Sequence, residues 1–299
     1  MANMCKQEMR EKICSQHGFL AALDQSGGST PKALGLYGIK QNYYTNDDEM
    51  YAYIHAMRAR IVMSRVFDGD RILGAILFEH TLDNKIDGVP SARYLWTQKG
   101  IVPFLKVDKG LDTQENGVQL MKPIPEFSRL MDKANTQGIF GTKMRSVIKS
   151  ADVQGIGALV QQQFDIASEI ISAGLVPIIE PEVDIHAPDK LEAEVLLRAE
   201  ILEHLDRLGE TQKVILKLTL PSESNFYADC VSHPQVIKVV ALSGGYCRDE
   251  ATMKVAENPG MIASFSRALT EGLSVAQNEN DFTEVLDSSI QSIYQASLT

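Results

Sequence analysis

The 299-residue sequence predicts a single-domain α/β protein, a (β/α)8 barrel of the TIM type over residues 1–299. Three observations lead there. A short apolar run followed by a longer amphipathic stretch recurs along the chain until eight runs have accumulated. Several runs are almost continuously hydrophobic, as parallel strands covered on both faces must be. The competing open doubly wound sheet usually announces itself with a GxGxxG first turn, whereas the first turn here reads DQSGGS at 24–29.

The predicted strands are 18–24 (GFLAALD), 72–79 (ILGAILFE), 102–108 (VPFLKVD) and 141–148 (GTKMRSVI), the last with the least strand-like pattern. They continue with 175–183 (LVPIIEPEV), 214–221 (VILKLTLP), 237–245 (IKVVALSGG) and 260–269 (GMIASFSRAL). Between them, Asp47 or Asp48 is expected to cap a helix running to about Ser64, with Met50, Ile54, Met57 and Ile61 on one face. Residues 151–173 read as a long helix with an apolar stripe of Ile156, Leu159, Val160, Phe164, Ala167 and Ile171. Helices are also expected at 191–208, 249–257 and 282–298.

Composition excludes several classes. Hydrophobic residues make up 44% and charged residues 23%, ordinary for a globular chain with a sizeable core. The net charge of -10 disfavours non-specific attraction to nucleic acid or anionic membrane. Cys5, Cys14, Cys230 and Cys247 form no CxxC pair and fit no zinc spacing, so reduced thiols are expected. The first 17 residues lack an apolar signal core, and no stretch approaches the ~20 apolar residues of a membrane helix. A cytoplasmic enzyme is the expectation.

In a barrel of this kind the active site lies at the C-terminal ends of the strands. There the sequence puts Asp24 on the first strand, Lys106, Asp108 and Lys109 on the third, and Lys143 and Arg145 on the fourth. Glu180 and Glu182 fall on the fifth, Lys217 on the sixth, Ser243-Gly244-Gly245 on the seventh, and Ser266-Arg267 on the eighth. Lysine and glutamate are disfavoured inside strands and costly to bury unpaired, so their recurrence at matching places argues for a convergent polar site. Period-two geometry turns Lys106 with Asp108, Lys143 with Arg145, and Glu180 with Glu182 to common faces.

Lys217, between Leu216 and Leu218, is the most anomalous residue. A desolvated lysine beside another cation has a lowered pKa and can attack a carbonyl as a neutral amine. Lys143 is the neighbour suited to that effect, and a carboxylate such as Glu180 can shuttle protons. Taken alone, Lys217 reads equally well as half of an ion pair that only holds the barrel. Lys106, Lys143 and Glu180 at matching strand ends favour chemistry.

Phosphate sites are expected at two ends. Ser243, Gly244 and Gly245 offer close backbone approach, and Arg267 beside them offers a bidentate contact. Ser26, Ser29, Lys106 and Arg145 suit the opposite end, although residues 26–29 also read as an ordinary helix-entry turn with Pro31 near the helix start.

These residues resemble the class I fructose-1,6-bisphosphate aldolases, most closely the compact bacterial members. The likeness lies in ALDQSGGS (22–29), ILGAILF (72–78), VPFLKVDKG (102–110), GTKMRS (141–146), VPIIEPE (176–182), ILKLTLP (215–221), LSGG (242–245) and SFSRAL (264–269). The resemblance implies that Lys217 forms a Schiff base with C2 of the ketose, with Lys143 tuning it and Glu180 as general acid/base, supported by Glu182. It implies that Asp24 takes the C4 hydroxyl proton, and that Ser243, Gly244 and Arg267 hold the C1 phosphate. Ser26, Ser29, Lys106 and Arg145 would serve the C6 side. It implies no cofactor and no metal, and family members are often homo-oligomers.

The chain departs from the animal enzymes in having Ala33 where they carry an arginine, for which Lys32 is a substitute. Met144 replaces a tryptophan and Ser266 a glycine. The sequence runs to Thr299 without their terminal tyrosine, and Tyr294 does not match it, which leaves the enamine's proton donor open. A related aldolase acting on tagatose 1,6-bisphosphate is the alternative. A metal-dependent aldolase would need histidine ligation, and His17, His55, His80, His186, His204 and His233 form no usual ligand pair. The alternating Glu182, Asp184 and His186 are the best metal candidates and read instead as a strand end entering a solvated loop. A silent barrel serving as a scaffold is the alternative from a different class, and it has no need of the buried Asp24, Lys143, Glu180 and Lys217 set.

Overall fold

A computed structural model describes residues 2–299. Eight parallel strands form the barrel: β1 (Phe19–Leu23), β2 (Ile72–Leu77), β3 (Val102–Lys106), β4 (Gly141–Ile148), β5 (Val176–Val183), β6 (Val214–Thr219), β7 (Val236–Leu242) and β8 (Met261–Ala263). Neighbours in sequence are neighbours in the sheet from β1 to β8. At the seam, the Ala22 N–H donates to Phe265 O at 3.1 Å, just past the end of β8.

Side chains alternate between two cores. Leu23, Leu105, Met144, Ile179, Leu216, Leu218 and Ala241 face outward and pack beneath the helices. Leu20, Ala22, Val102, Phe104, Ile178, Ile215, Val240 and Ile262 face the barrel axis. Phe104 fills the axis because its neighbours have no side chain: a Cβ on Gly74 would lie 2.8 Å from its ring, and one on Gly141 would lie 3.0 Å away. Helix α1 (Ala2–Ser15) joins this inner core through Met9 and Ile13, plugging the end opposite the strand C-termini.

The expected helices appear at Asp47–Met63 (α2), Val153–Ser172 (α3), Lys190–Asp206 (α4), Arg248–Ala256 (α5) and Glu279–Ala296 (α6). Asn46, not Asp47 or Asp48, caps α2, its side chain accepting from Glu49 N–H at 2.9 Å. Asp152 caps α3 by accepting from Gly155 N–H. The largest difference is at β8, which ends at Ala263. Phe265, Ala268 and Leu269 are buried from a bend and a short helix, Arg267–Thr270, so their apolar spacing is helical rather than alternating.

A hairpin of Leu111–Glu115 and Val118–Met121 extends the sheet above β3. Its turn, Asn116-Gly117, has φ of +45° and +70°, the backbone that Asn-Gly supplies. Val118 pairs with Ile148, lengthening β4 past the rim. The C-terminal helix returns to the other end, where Gly260 N–H donates to Thr299 O and Ala263 N–H to Ser297 Oγ. No helix of the described residues is long and apolar enough to cross a membrane.

Candidate active site

Continuing each inward-facing row one step past the apolar layer turns it polar. Leu20 and Ala22 lead to Asp24, Val102 and Phe104 to Lys106, Gly141 to Lys143, Ile178 to Glu180, and Ile215 to Lys217. Register puts Lys106 beside Lys143 and Leu216 beside Ile179, so Lys217 falls next to Glu180. Thr219 strengthens that last seam, its hydroxyl donating to Val183 O and accepting from Val183 N–H.

The polar layer is almost dry: Lys143 is 2% exposed, Glu180 3% and Lys217 4%. Lys143 Nζ lies 2.8 Å from Asp24 Oδ2, 2.9 Å from Glu180 Oε2 and 3.8 Å from Asp108 Oδ2. Lys217 Nζ lies 3.0 Å from Glu180 Oε1. Glu180 therefore stands between two lysines, and its Oε2 sits off the hydrogen-bonding direction of Lys143, without a hydrogen-bond partner among the described residues. Gln163, fully buried on α3, fixes the strand behind it, accepting from Glu180 N–H and donating to Glu180 O, both at 3.2 Å.

Burial would raise the Asp24 carboxyl, but Lys143, Lys217 and Lys106 outweigh it and hold Asp24 well below the usual carboxylate range. Asp108 is depressed against the same burial by Lys143 and Lys106. Burial would lower Lys143, yet Asp24, Glu180 and Asp108 push it above the usual lysine value. Burial and Lys143 together lower Lys106. Lys143, expected as the cation beside Lys217, thus sits in a balanced cluster of three lysines with three carboxylates.

This cluster floors a cleft of about 710 Å3. Its walls carry Ser26, Ser29, Lys32, Lys109, Arg145, Glu182, Ser243, Gly244, Ser264, Ser266 and Arg267 as well. Gly245 is the one predicted residue outside the wall. Seven cations face four carboxylates in the cleft, a local surplus of positive charge in a chain of net charge -10. Such focusing favours an anionic substrate.

Around the rim, Gly244 has φ +59° and its turn lies against Arg267, whose Nη2 would be 3.7 Å from a Cβ on Gly245. Arg267 has no ion pair among the described residues and opens a helical turn rather than sitting in a strand. Ser264 Oγ is buried without a hydrogen-bond partner among the described residues. Across the cleft, Ser29 Oγ accepts from Ser26 N–H and donates to Ser26 O, closing the turn before a helix at Ser29–Leu36. Arg145 Nε is bound to Glu182 Oε2 at 2.5 Å and Lys106 Nζ to Asp108 Oδ1 at 2.5 Å. Asp184 pairs with Lys149 at 2.6 Å, so two of the residues weighed as metal ligands are bound to cations. No group of three ligand-type side chains suited to a metal occurs among the described residues.

Sequence reasoning gave Asp108 a face but no role, and overlooked Gln25, Arg58, Tyr51, Phe78 and Ser264. Lys32 does line the cleft. Met144 is buried under the helices, not in the cleft.

A family model described as fructose-bisphosphate aldolase class-I matches residues 7–226. The chain is 58% identical over 293 residues to the class 1 fructose-bisphosphate aldolase of Synechocystis sp., covering 98% of each chain. It is 55% identical over 288 residues to that of Clostridium acetobutylicum, covering 96% of this chain and 98% of the other. Among solved structures, the fructose-bisphosphate aldolase of Plasmodium falciparum is similar with a TM-score of 0.76 at 22% identity, over 99% of this chain and 94% of that one.

Proposed function

The chain belongs to the class I fructose-bisphosphate aldolases, and from that membership we propose how its own side chains cleave the sugar. It is a lyase that reversibly cleaves fructose 1,6-bisphosphate to dihydroxyacetone phosphate and glyceraldehyde 3-phosphate. The names of the relatives support this substrate over tagatose 1,6-bisphosphate.

Lys217 is the nucleophile. It passes a proton to Glu180 Oε1, 3.0 Å away, and attacks C2 of the ketose. The carbinolamine then loses its hydroxyl as water, with Glu180 returning the proton, and the C2 iminium remains. Asp24 accepts the C4 hydroxyl proton as the C3–C4 bond breaks. The bonding pair flows into the iminium as an enamine, and the aldehyde leaves. Lys143, between Asp24 and Glu180, stays cationic and steadies both carboxylates through the proton transfers. Protonation at C3 and hydrolysis release dihydroxyacetone phosphate and free Lys217.

Ser243, Gly244, Ser264 and Arg267 hold the C1 phosphate, with Gly245 shaping the turn from behind. Ser26, Ser29, Lys32, Lys106 and Arg145 serve the C6 end, where Arg145 exchanges its bond to Glu182 for phosphate. The observation that carries this reading is a nearly dry lysine in contact with one carboxylate at the floor of a cationic cleft. Cleavage should persist in EDTA, and Glu180→Gln should slow it by roughly 10²–10⁴-fold. Loss of wild-type cleavage on chelation would overturn the metal-free route.

A further inference from the structure

Arg58 is 0% exposed, yet it makes no ion pair among the described residues. A buried guanidinium without a carboxylate is costly, so what it does hold is informative. From α2 its Nη1 donates to Thr81 Oγ1 at 2.7 Å, in the segment that follows β2. Its Nη2 donates to the Gln25 backbone carbonyl and, at 3.2 Å, to Gln25 Oε1. With Oε1 so engaged, the Gln25 amide points its Nε2 at Ser266 Oγ, 2.7 Å away. Gln25 follows Asp24 in the chain, and Ser266 precedes Arg267. One guanidinium and one amide therefore join the ends of β8, β1 and β2.

The location matters because the seam between β8 and β1 is the thinnest part of the sheet. Ala22 N–H to Phe265 O is its backbone bond at the rim, and β8 has only three residues of strand. Above that bond, Gln25 to Ser266 is the side-chain stitch that continues it.

We propose that Arg58 and Gln25 are positioning residues that hold the Asp24 wall in register with the Ser266–Arg267 wall, so that the aldehyde-side base and the C1-phosphate cation keep one fixed spacing. Neither residue touches the reacting carbons; both act through Asp24 and Ser266. The inference rests on the roles proposed above for Asp24 and Arg267. It distinguishes Arg58 from a residue that only fills the core, because its effect falls on the bond-breaking step rather than on the imine.

The test compares Gln25→Met, Arg58→Met and Arg58→Lys with wild type. Three quantities are measured: the melting temperature, kcat and KM for fructose 1,6-bisphosphate, and the adduct trapped by borohydride at saturating dihydroxyacetone phosphate. The expected result is a kcat for cleavage lowered roughly 10-fold or more with KM raised, since small misplacements of reacting groups are costly. The trapped adduct should stay near the wild-type amount, and Arg58→Lys should recover part of the kcat. Gln25→Met combined with Arg58→Met should lose no more than the worse single variant. If Arg58→Met does not fold, the same non-additivity is read from Gln25→Met with Thr81→Val, which release the two sides of the guanidinium. Unchanged cleavage, additive losses, or adduct and cleavage falling in parallel with melting temperature would overturn the proposal. Absence of an adduct in the wild type would instead overturn the Schiff-base reading, leaving the coupling of Arg58 and Gln25 in cleavage rates to decide the bridge.

Discussion

Lys217 touches one ionisable partner and Lys143 touches three, and that asymmetry fits the separate roles proposed for them. A lysine enclosed by carboxylates stays charged; a lysine with one carboxylate at 3.0 Å has a place to leave its proton. Replacing Asp24 with Asn should therefore stop C3–C4 cleavage while adduct formation at Lys217 persists, a split read by comparing cleavage rate with borohydride trapping. Replacing Lys143 with Met strands Asp24 and Glu180 as close buried carboxylates. Breaking such a pair typically costs about 3–5 kcal/mol, so urea unfolding should report a loss of that order. Lys217 is legible in the sequence because a lysine between leucines interrupts an apolar run. Asp108 is half legible, from its spacing to Lys106. Arg58 lies four residues after Ile54 on the apolar face of α2, yet on a helix that also carries Arg60 it passes for a solvated charge. Gln25 carries no signal, because its importance comes from what lies across the seam.

Elements were most readable where period and burial agree. The strands β1 to β7 alternate or run apolar as their coverage demands, and even 141–148, the least strand-like stretch, is a strand over its whole length. Its Lys143 and Arg145 weaken the apolar pattern because they face the cleft. The eighth strand misleads for the opposite reason: a helical turn supplies the apolar residues that seem to prolong it. The hairpin at 111–121 went unread: Asn116-Gly117 suits such a turn, but the exposed first strand carries no burial pattern to point to it. Two substitutions test the element scale. Asn46→Ala should cost ~1 kcal/mol of stability through the lost cap of α2, leaving cleavage unchanged. Ile13→Ala should cost about 2–5 kcal/mol, because it empties the plug beneath the inner barrel core. Both are read from urea unfolding, and a null effect of Ile13→Ala would deny α1 its structural role.

At the scale of the whole molecule, an acidic chain concentrates its cations in one cleft, and the pH dependence of stability follows from the same cluster. Asp24 and Asp108 have folded-state pKa values below the free value of 3.8. Each contributes stability that is present above that value and lost as pH falls through the carboxylate range. Lys143, raised above 10.5, contributes stability present below that value and lost only in strong alkali. The unfolding midpoint should thus fall as pH drops below about 4, and Asp24→Asn should fall less steeply there. The most direct test of the central claim is to treat the protein with dihydroxyacetone phosphate and sodium borohydride, then map the reduced adduct by mass spectrometry. A single adduct on Lys217 that disappears in Lys217→Met is the expected result. An adduct on another lysine, or none, would contradict it.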